Sequence, residues 1–287
     1  MIKKFKLLST LILVILSITL FGCSSTPNNN NNNDSKKPVQ NTTKVSEQKL
    51  PEESFKAPFK AANQGVPVLM YHSISFEKNN PLKVPPEQLE EEFKYLKDNG
   101  YTTISLDDLY NYFEDNAQIP EKSIVLTFDD GYEDNYTALF PLLKKYGLRA
   151  TVFVITGYVD KMPAYLTSSQ LKEMNSYGVD IESHTVNHDH LKTLTKDKQL
   201  ATLTESKAFL EKLLNKKINY IAYPYGEYDN NTLECAKQAG YKMALSTDGR
   251  WSMKKNGIFS LDRVYISSQF NMDIFKDRIS NPNYKFQ

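Results

Sequence analysis

Apolar residues along this chain follow two alternating patterns. Short runs with strand character are separated by longer stretches whose apolar positions return every three or four residues. Val66–Ile74, Tyr101–Leu106, Ser123–Phe128, Arg149–Ile155, Val179–Ser183, Asn219–Tyr223 and Tyr241–Ser246 read as strands, with Arg263–Ser267 as a last one. Between them, Pro86–Asn99 reads as a helix with Leu89, Phe93 and Leu96 on one face and Gly100 as its stop. Asp107–Glu114, Asp134–Tyr146 (interrupted by Pro141), Ser168–Tyr177, Asn230–Ala239 and Met272–Ile279 are further helices. Lys196–Asn215 is a long one, with Leu203, Leu210, Leu213 and Leu214 turned inward. Repeated βα units imply a parallel sheet, and so many of them favour an α/β fold of (β/α) barrel type, distorted or incomplete, with about seven strands.

Polar clusters sit where the predicted strands end. His72 ends the first strand, Asp129 and Asp130 another, and His184 a third. Tyr223-Pro224-Tyr225-Gly226 and Asp248 follow the next two. Barrels of this kind build their sites at that end of the strands. Two adjacent carboxylates repel unless a cation or a proton lies between them. Asp-Asp-Gly alone is also an ordinary turn, and two histidines four residues apart can be surface residues. One Asp with His184 and His188 is an oxygen and nitrogen set suited to a divalent metal: zinc first, with nickel, cobalt or iron also suited. The other Asp is then free to act as a base.

Composition adds little to the 287 residues: 40% hydrophobic, 24% charged, a formal net charge of +1. No basic stripe points to nucleic acid. Eighteen tyrosines against a single Trp suit a carbohydrate groove and equally a core. The first residues are more specific. Lys3, Lys4 and Lys6 precede the apolar run Leu7–Phe21, and Leu20-Phe21-Gly22-Cys23 resembles a lipobox. Residues 1–22 therefore read as a lipoprotein signal peptide, with Cys23 as the lipidated residue that holds the protein on the outer side of the cell membrane. Residues 23–63, with six consecutive Asn, read as a disordered tether ahead of a domain over 64–287. Cys235, the other cysteine, reads as a small buried hydrophobe, and the chain as a monomer.

Thr127-Phe128-Asp129-Asp130-Gly131, His184-Thr185-Val186-Asn187-His188 and Tyr223-Pro224-Tyr225-Gly226 resemble the first three motifs of the polysaccharide deacetylases, carbohydrate esterase family four or the NodB-homology group. The resemblance covers roughly Val66 to Ser267. It implies that Asp130, His184 and His188 bind the metal, and that Asp129 is the general base that deprotonates the attacking water. It also implies that the Tyr225 backbone N–H helps to hold the oxyanion. His190 falls off the motif spacing and reads as a loop or supporting residue.

Three departures matter. Many members begin the third motif with an Arg that orients the catalytic Asp; here that position is Ala222, and Arg263 is a candidate substitute. Asp248-Gly249-Arg250-Trp251 loosely resembles the fourth motif, which makes Asp248 and Trp251 candidate substrate-binding residues, Trp251 as a lining of the acetyl pocket or as core. No His follows His190 to serve as the late catalytic acid, whereas Val68-Leu69-Met70-Tyr71-His72 lies upstream. That placement resembles the permuted poly-β-1,6-N-acetylglucosamine deacetylase branch and implies His72 as the acid. Strand alternation puts Val68, Met70 and His72 on one face. The expected activity is metal-dependent hydrolysis of N-acetyl groups on an N-acetylglucosamine polysaccharide. Poly-β-1,6-N-acetylglucosamine leads, and peptidoglycan or chitooligosaccharides are alternatives. A catalytically inactive sugar-binding lipoprotein is the competing class. A glycosidase is disfavoured, because adjacent carboxylates cannot readily flank a sugar.

Overall fold

A computed structural model describes residues 49, 50 and 54–285. The signal segment, Cys23 and the tether up to residue 48 lie outside the described residues. The strands are β1 (Val68–Tyr71), β2 (Thr102–Thr103), β3 (Ser123–Phe128), β4 (Thr151–Val154), β5 (Asp180–Ser183), β6 (Tyr220–Ala222), β7 (Met243–Leu245) and β8 (Val264–Tyr265). The helices are α1 (Pro86–Asp98), α2 (Leu106–Glu114), α3 (Phe140–Tyr146), α4 (Ser168–Tyr177), α5 (Lys196–Leu214), α6 (Asn230–Gln238) and α7 (Met272–Ser280). Seven strands pair in the order β7-β6-β5-β4-β3-β1-β8, and β2 lies against the start of β3. Every pairing between these strands is parallel. A parallel bridge from Leu245 to Leu261 draws the chain ahead of β8 toward β7, so the sheet curls into the distorted (β/α) barrel that the pattern predicts.

The two-residue period of the strands divides the core. Leu69, Tyr71, Leu126, Phe128, Val152, Val154 and Ile181 face outward and pack under the helices. Val68, Val125, Phe153, Tyr220, Ala222, Met243 and Leu245 fill the interior, closed at the strands' N-terminal end by Leu106, Leu109, Tyr112 and Phe113 of α2. Fully buried Leu and Phe side chains each contribute about 1.5–3 kcal/mol. Continuing the inward positions, Val68–Met70 leads to His72, and Val125–Thr127 to Asp129. The sequence period thus delivers polar side chains to the C-terminal mouth of a core that is mostly apolar below, with Thr127 and Glu182 as buried polar members.

Two elements differ from expectation. The strand over Tyr101–Leu106 shortens to two residues because Ser105 caps α2: its Oγ accepts from Asp108 N–H while the Asp108 carboxylate accepts from Ser105 N–H. The helix after β3 opens as a π turn over Asn135–Leu139, in which Phe140 N–H bonds Asn135 O. Pro141, in the first turn of α3, has no N–H to give, and the wider turn accommodates that loss. Residues 54–63, assigned to the tether by sequence, lie against the domain: Phe55 packs on the inner core and Lys60 N–H bonds Ile119 O at 2.9 Å. Leu50 N–H bonds Tyr177 O.

Candidate active site

Asp130, His184 and His188 converge at the C-terminal ends of β3 and β5. Each offers one ligand atom, and the three atoms lie within 4.8 Å of one another. Asp130 Oδ1 stands 3.4 Å from His184 Nε2 and 3.3 Å from His188 Nε2. That oxygen is buried and has no hydrogen-bond partner, an arrangement that costs several kcal/mol unless a cation or proton meets it. His184 Nδ1 lies 2.8 Å from Ala222 O; a carbonyl only accepts, so Nδ1 carries a hydrogen and Nε2 is the atom that faces Asp130, and against the effect of burial Asp130 and Asp129 raise the imidazole above its ordinary pKa. Burial and the neighbouring His184 lower His188 to about 4, which leaves it neutral at physiological pH. A carboxylate oxygen that is otherwise orphaned and two imidazole nitrogens facing it fit a divalent metal, which would take the place of the proton that the two carboxylates favour on His184.

The backbone is strained where these groups sit. Asp130, Thr185, His188 and Tyr225 all take positive φ, between 59° and 73°, without being glycine. Such conformations persist only where surrounding bonds enforce them. Thr185 Oγ1 accepts from His188 N–H at 3.1 Å, and Thr202 Oγ1 of α5 accepts from Val186 N–H at 3.1 Å. Below them Ser183 Oγ and Ser206 Oγ lie 2.8 Å apart, and Thr232 Oγ1 donates to Gln199 Oε1 at 2.6 Å. The inward face of α5 is therefore partly polar: Gln199, Thr202 and Ser206 are buried beside Leu203 and Leu210, while Leu213 and Leu214 are only partly buried. Gly157 completes the support. Its N–H bonds Val186 O at 2.7 Å, so close that a Cβ would lie 2.4 Å from that oxygen.

Asp129 turns away from this cluster, toward Arg263. The guanidinium donates through Nη1 to Oδ1 and through Nη2 to Oδ2, both at 2.7 Å, with both side chains buried. Its Nε donates to Ser246 O and its ring-like plane lies over Phe153. Burial alone would raise the Asp129 carboxyl, but Arg263 outweighs it and holds the group far below the usual carboxylate range. Asp129 is thus ionised and fixed by Arg263, the residue that immediately precedes β8.

His72 stands beside Asp129 on the same rim, since β1 and β3 run in register with Tyr71 opposite Phe128. Its Nδ1 is buried with no hydrogen-bond partner, and burial lowers its pKa against the opposing pull of Asp129 and Asp130. The loop after it is held by two residues the sequence did not single out. Asn135 Nδ2 donates to His72 O at 3.0 Å, and Asp134 accepts from Ile74 N–H at 2.9 Å. Their position four and five residues past the Asp pair was the available signal.

Tyrosines flank the cluster. The Tyr225 ring stands edge-on to His188 and stacks on His190, whose Nδ1 lies 3.1 Å from Glu227 Oε2. On the other side Tyr132 stands near Asp130, whose charge helps burial raise its phenol, and stacks on Tyr165, which meets Tyr158 edge-on. Tyr132 directly follows Gly131 and was missed, because a tyrosine there is equally a core residue by composition.

Of the two remaining candidates, one lies elsewhere. Trp251 is at the opposite, N-terminal end of the barrel: Ser252 bridges Val66, and the indole N–H donates to Arg278 O at 2.8 Å. There it borders a cleft of about 600 Å³ with Lys60, Gln64, Tyr101 and Lys122. Past Asp248 the chain turns down the barrel flank, which carries Trp251 away from the rim and corrects its placement in an acetyl pocket. Asp248 is exposed and neighbours Asp262, whose carboxyl burial raises to about 6 with Asp248 adding to the shift. Asp248 follows Thr247, whose Oγ1 donates to Tyr225 O at 3.3 Å, so the chain is still beside the rim where Asp248 leaves it.

Comparison with known proteins gives concordant results. The family model for polysaccharide deacetylase matches residues 116–244. YxkH of Bacillus subtilis (strain 168), provisionally named a polysaccharide deacetylase, is 38% identical over 202 residues, 70% of this chain and 71% of its own. The poly-beta-1,6-N-acetyl-D-glucosamine N-deacetylase of Staphylococcus aureus (strain MSSA476) is 31% identical over 215 residues, 69% of this chain and 72% of its own. Among solved structures, the Streptococcus pyogenes deacetylase PplD in complex with acetate superposes with a TM-score of 0.73 at 34% identity, covering 76% of this chain and 100% of that one.

Proposed function

The chain belongs to the polysaccharide deacetylase family, and from that premise we propose that it removes N-acetyl groups from an N-acetylglucosamine polysaccharide, poly-β-1,6-N-acetylglucosamine foremost. The reaction consumes one water and one acetamide and yields acetate and a free amine. The observation that carries the reading is the division of labour at the rim: one Asp converges with two His, while its neighbour is gripped by Arg263.

Asp130, His184 and His188 would hold a divalent metal, zinc foremost. When bound, such an ion supplies Lewis acidity, which favours both the nucleophile and the charge that develops on the carbonyl oxygen. Asp129 accepts the proton of the attacking water. Arg263 keeps that carboxylate ionised and oriented, which lowers its basicity but fixes its direction. The Tyr225 backbone N–H donates to the developing oxyanion. His72 delivers a proton to the departing nitrogen, because an amide anion is too basic to leave unaided. Trp251 has no part in this scheme, and Asp248 stays a candidate substrate contact beside Tyr225. The substrate proposal draws on the S. aureus relative and on the upstream position of His72. We further propose a monomer held at the membrane's outer face by lipid on Cys23; among the described residues no helix is long and apolar enough to cross a membrane.

The test is release of free amine and acetate from partly acetylated poly-β-1,6-N-acetylglucosamine, peptidoglycan and chitooligosaccharides, with metal content measured on the same sample. Turnover of the first that rises with bound metal is the expected outcome. Faster turnover of another polymer would reassign the substrate, and binding without turnover of any would favour a sugar-binding protein.

A further inference from the structure

Five large apolar side chains stand exposed among the described residues: Phe76, Leu82, Met162, Phe209 and Tyr225. Phe209 is on α5. The other four sit on loops that leave the C-terminal ends of β1, β4 and β6, which is the rim that carries His72, Asp129 and His184. Phe76 is the extreme case, with 76% of its surface in water four residues past His72. Exposed apolar groups gathered on one face mark an interaction site.

The loop that presents Phe76 is tied down at many points. Ile74 and Val84 bury its two ends in the core. Ser73 Oγ donates to Asp134 at 2.5 Å, Val84 N–H to Ser73 O at 3.0 Å, and Lys83 pairs with Glu77 at 2.7 Å. From the loop after β8, Ser268 donates through N to Pro81 O and through Oγ to Asn80 O, both at 3.1 Å. A ring held out on a braced loop loses little conformational freedom when something packs on it.

We propose that Phe76 is the platform of a distal sugar subsite, stacking on the apolar face of a pyranose ring in the same polysaccharide strand whose acetamide lies among Asp129, Asp130 and His72. This rests on the deacetylase reading above and adds to it a recognition element outside the reacting unit. Three observations favour a sugar chain. In sheet order the rim loops bring Phe76, then Tyr132, then Tyr165, then Tyr225, an aromatic series with Asp130 in its middle. Aromatic rings interspersed with hydroxyls match a ligand that alternates C–H faces with hydroxyl edges. On these loops Lys78 and Lys161 are outnumbered by Glu77, Glu133, Asp134 and Asp160, and Lys83 is engaged by Glu77, so the charge around Phe76 is mixed and not the cationic cluster that an anionic lipid surface selects.

The test compares metal-loaded wild-type and Phe76→Ala protein on poly-β-1,6-N-acetylglucosamine fragments of graded length. We expect kcat/KM on the longest fragments to fall roughly threefold to tenfold, through KM, with the shortest accepted fragment unchanged. Phe76→Trp should restore the long-fragment value. Retardation in gels cast with the polymer reads binding without turnover, and Phe76→Ala should lose it. Equal loss at every length, or unchanged kinetics and retardation, would overturn the proposal. So would retained polymer binding with lost binding to phosphatidylglycerol vesicles, which would make the loop a membrane contact. If wild type releases no acetate from any fragment, the substrate reading fails by itself. Gel retardation then still decides: lost in Phe76→Ala supports the platform, unchanged refutes it.

Discussion

Arg263 holds Asp129 by both carboxylate oxygens at 2.7 Å, across 134 residues of sequence and in full burial. The fork supplies charge and direction together, and the two can be separated. Arg263→Lys keeps a cation but not the planar pair of donors. We expect it to retain metal and lose at least about tenfold in turnover. Arg263→Ala would leave Asp129 buried and unpaired, at a cost of roughly 3–5 kcal/mol in a denaturant melt. A wild-type rate in Arg263→Lys would show that Asp129 needs only a nearby charge.

The adjacent aspartates should respond in opposite ways. Asp129→Asn is expected to keep its metal and lose turnover by roughly a hundredfold or more. Asp130→Ala should lose the metal itself. Elemental analysis beside acetate release distinguishes them, and metal loss in Asp129→Asn would reverse the two roles.

Gly157 should matter for metal binding although it touches no ligand. In Gly157→Ala the new methyl would press on Val186 O from 2.4 Å, and that atom is backbone. The loop bearing His188 must shift, and we expect metal affinity to fall roughly tenfold or more in a chelator competition. Unchanged affinity would mean that the loop yields without moving His188.

Glu92 of α1 is buried, accepts from Tyr71 OH at 2.8 Å and Gln88 Nε2 at 3.0 Å, and burial raises its carboxyl from 4.5 to about 7. The folded state therefore holds the proton more tightly than the unfolded chain. The associated stability is complete below about pH 4.5 and is lost as pH rises through about 7. A shift of this size corresponds to about 3 kcal/mol between those limits. Glu92→Gln should flatten the pH dependence of urea midpoints between pH 5 and 8. Parallel curves for the two proteins would show that Glu92 is ionised in place.

The lipid anchor is tested at Cys23. Cys23→Ser should abolish incorporation of labelled fatty acid and release the protein from the membrane fraction. Unchanged partitioning would refute it.

Much of the site was legible because a strand's period is two and the motif residues continue it. His72, Asp129 and His184 follow apolar strands, so local pattern sufficed to put them on one rim. Arg263 was only a candidate, since its partner lies 134 residues away and the pairing depends on how the sheet curls. Trp251 illustrates the opposite failure. Its motif is close in sequence to β7, but the chain reverses down the barrel flank, and local spacing carries no record of that turn. Tyr132 and Gly157 were invisible for a third reason: their roles lie in contacts with Asp130 and Val186 O that no residue type announces.

The hydroxyl and amide groups on the buried side of α5 have a consequence for anyone engineering this protein. Thr202, Ser206 and Gln199 look like flaws in a core, and a redesign for heat resistance would exchange them for Val, Ala and Leu. Such a variant would melt lower, because removing one partner of a buried pair leaves the other unsatisfied at a cost of about 1–3 kcal/mol each. It would also free Val186 N–H and Ser183 Oγ, the fastenings of the segment between His184 and His188. Durability and activity therefore fall together at these three positions, and a thermostable form should be sought on the other helices.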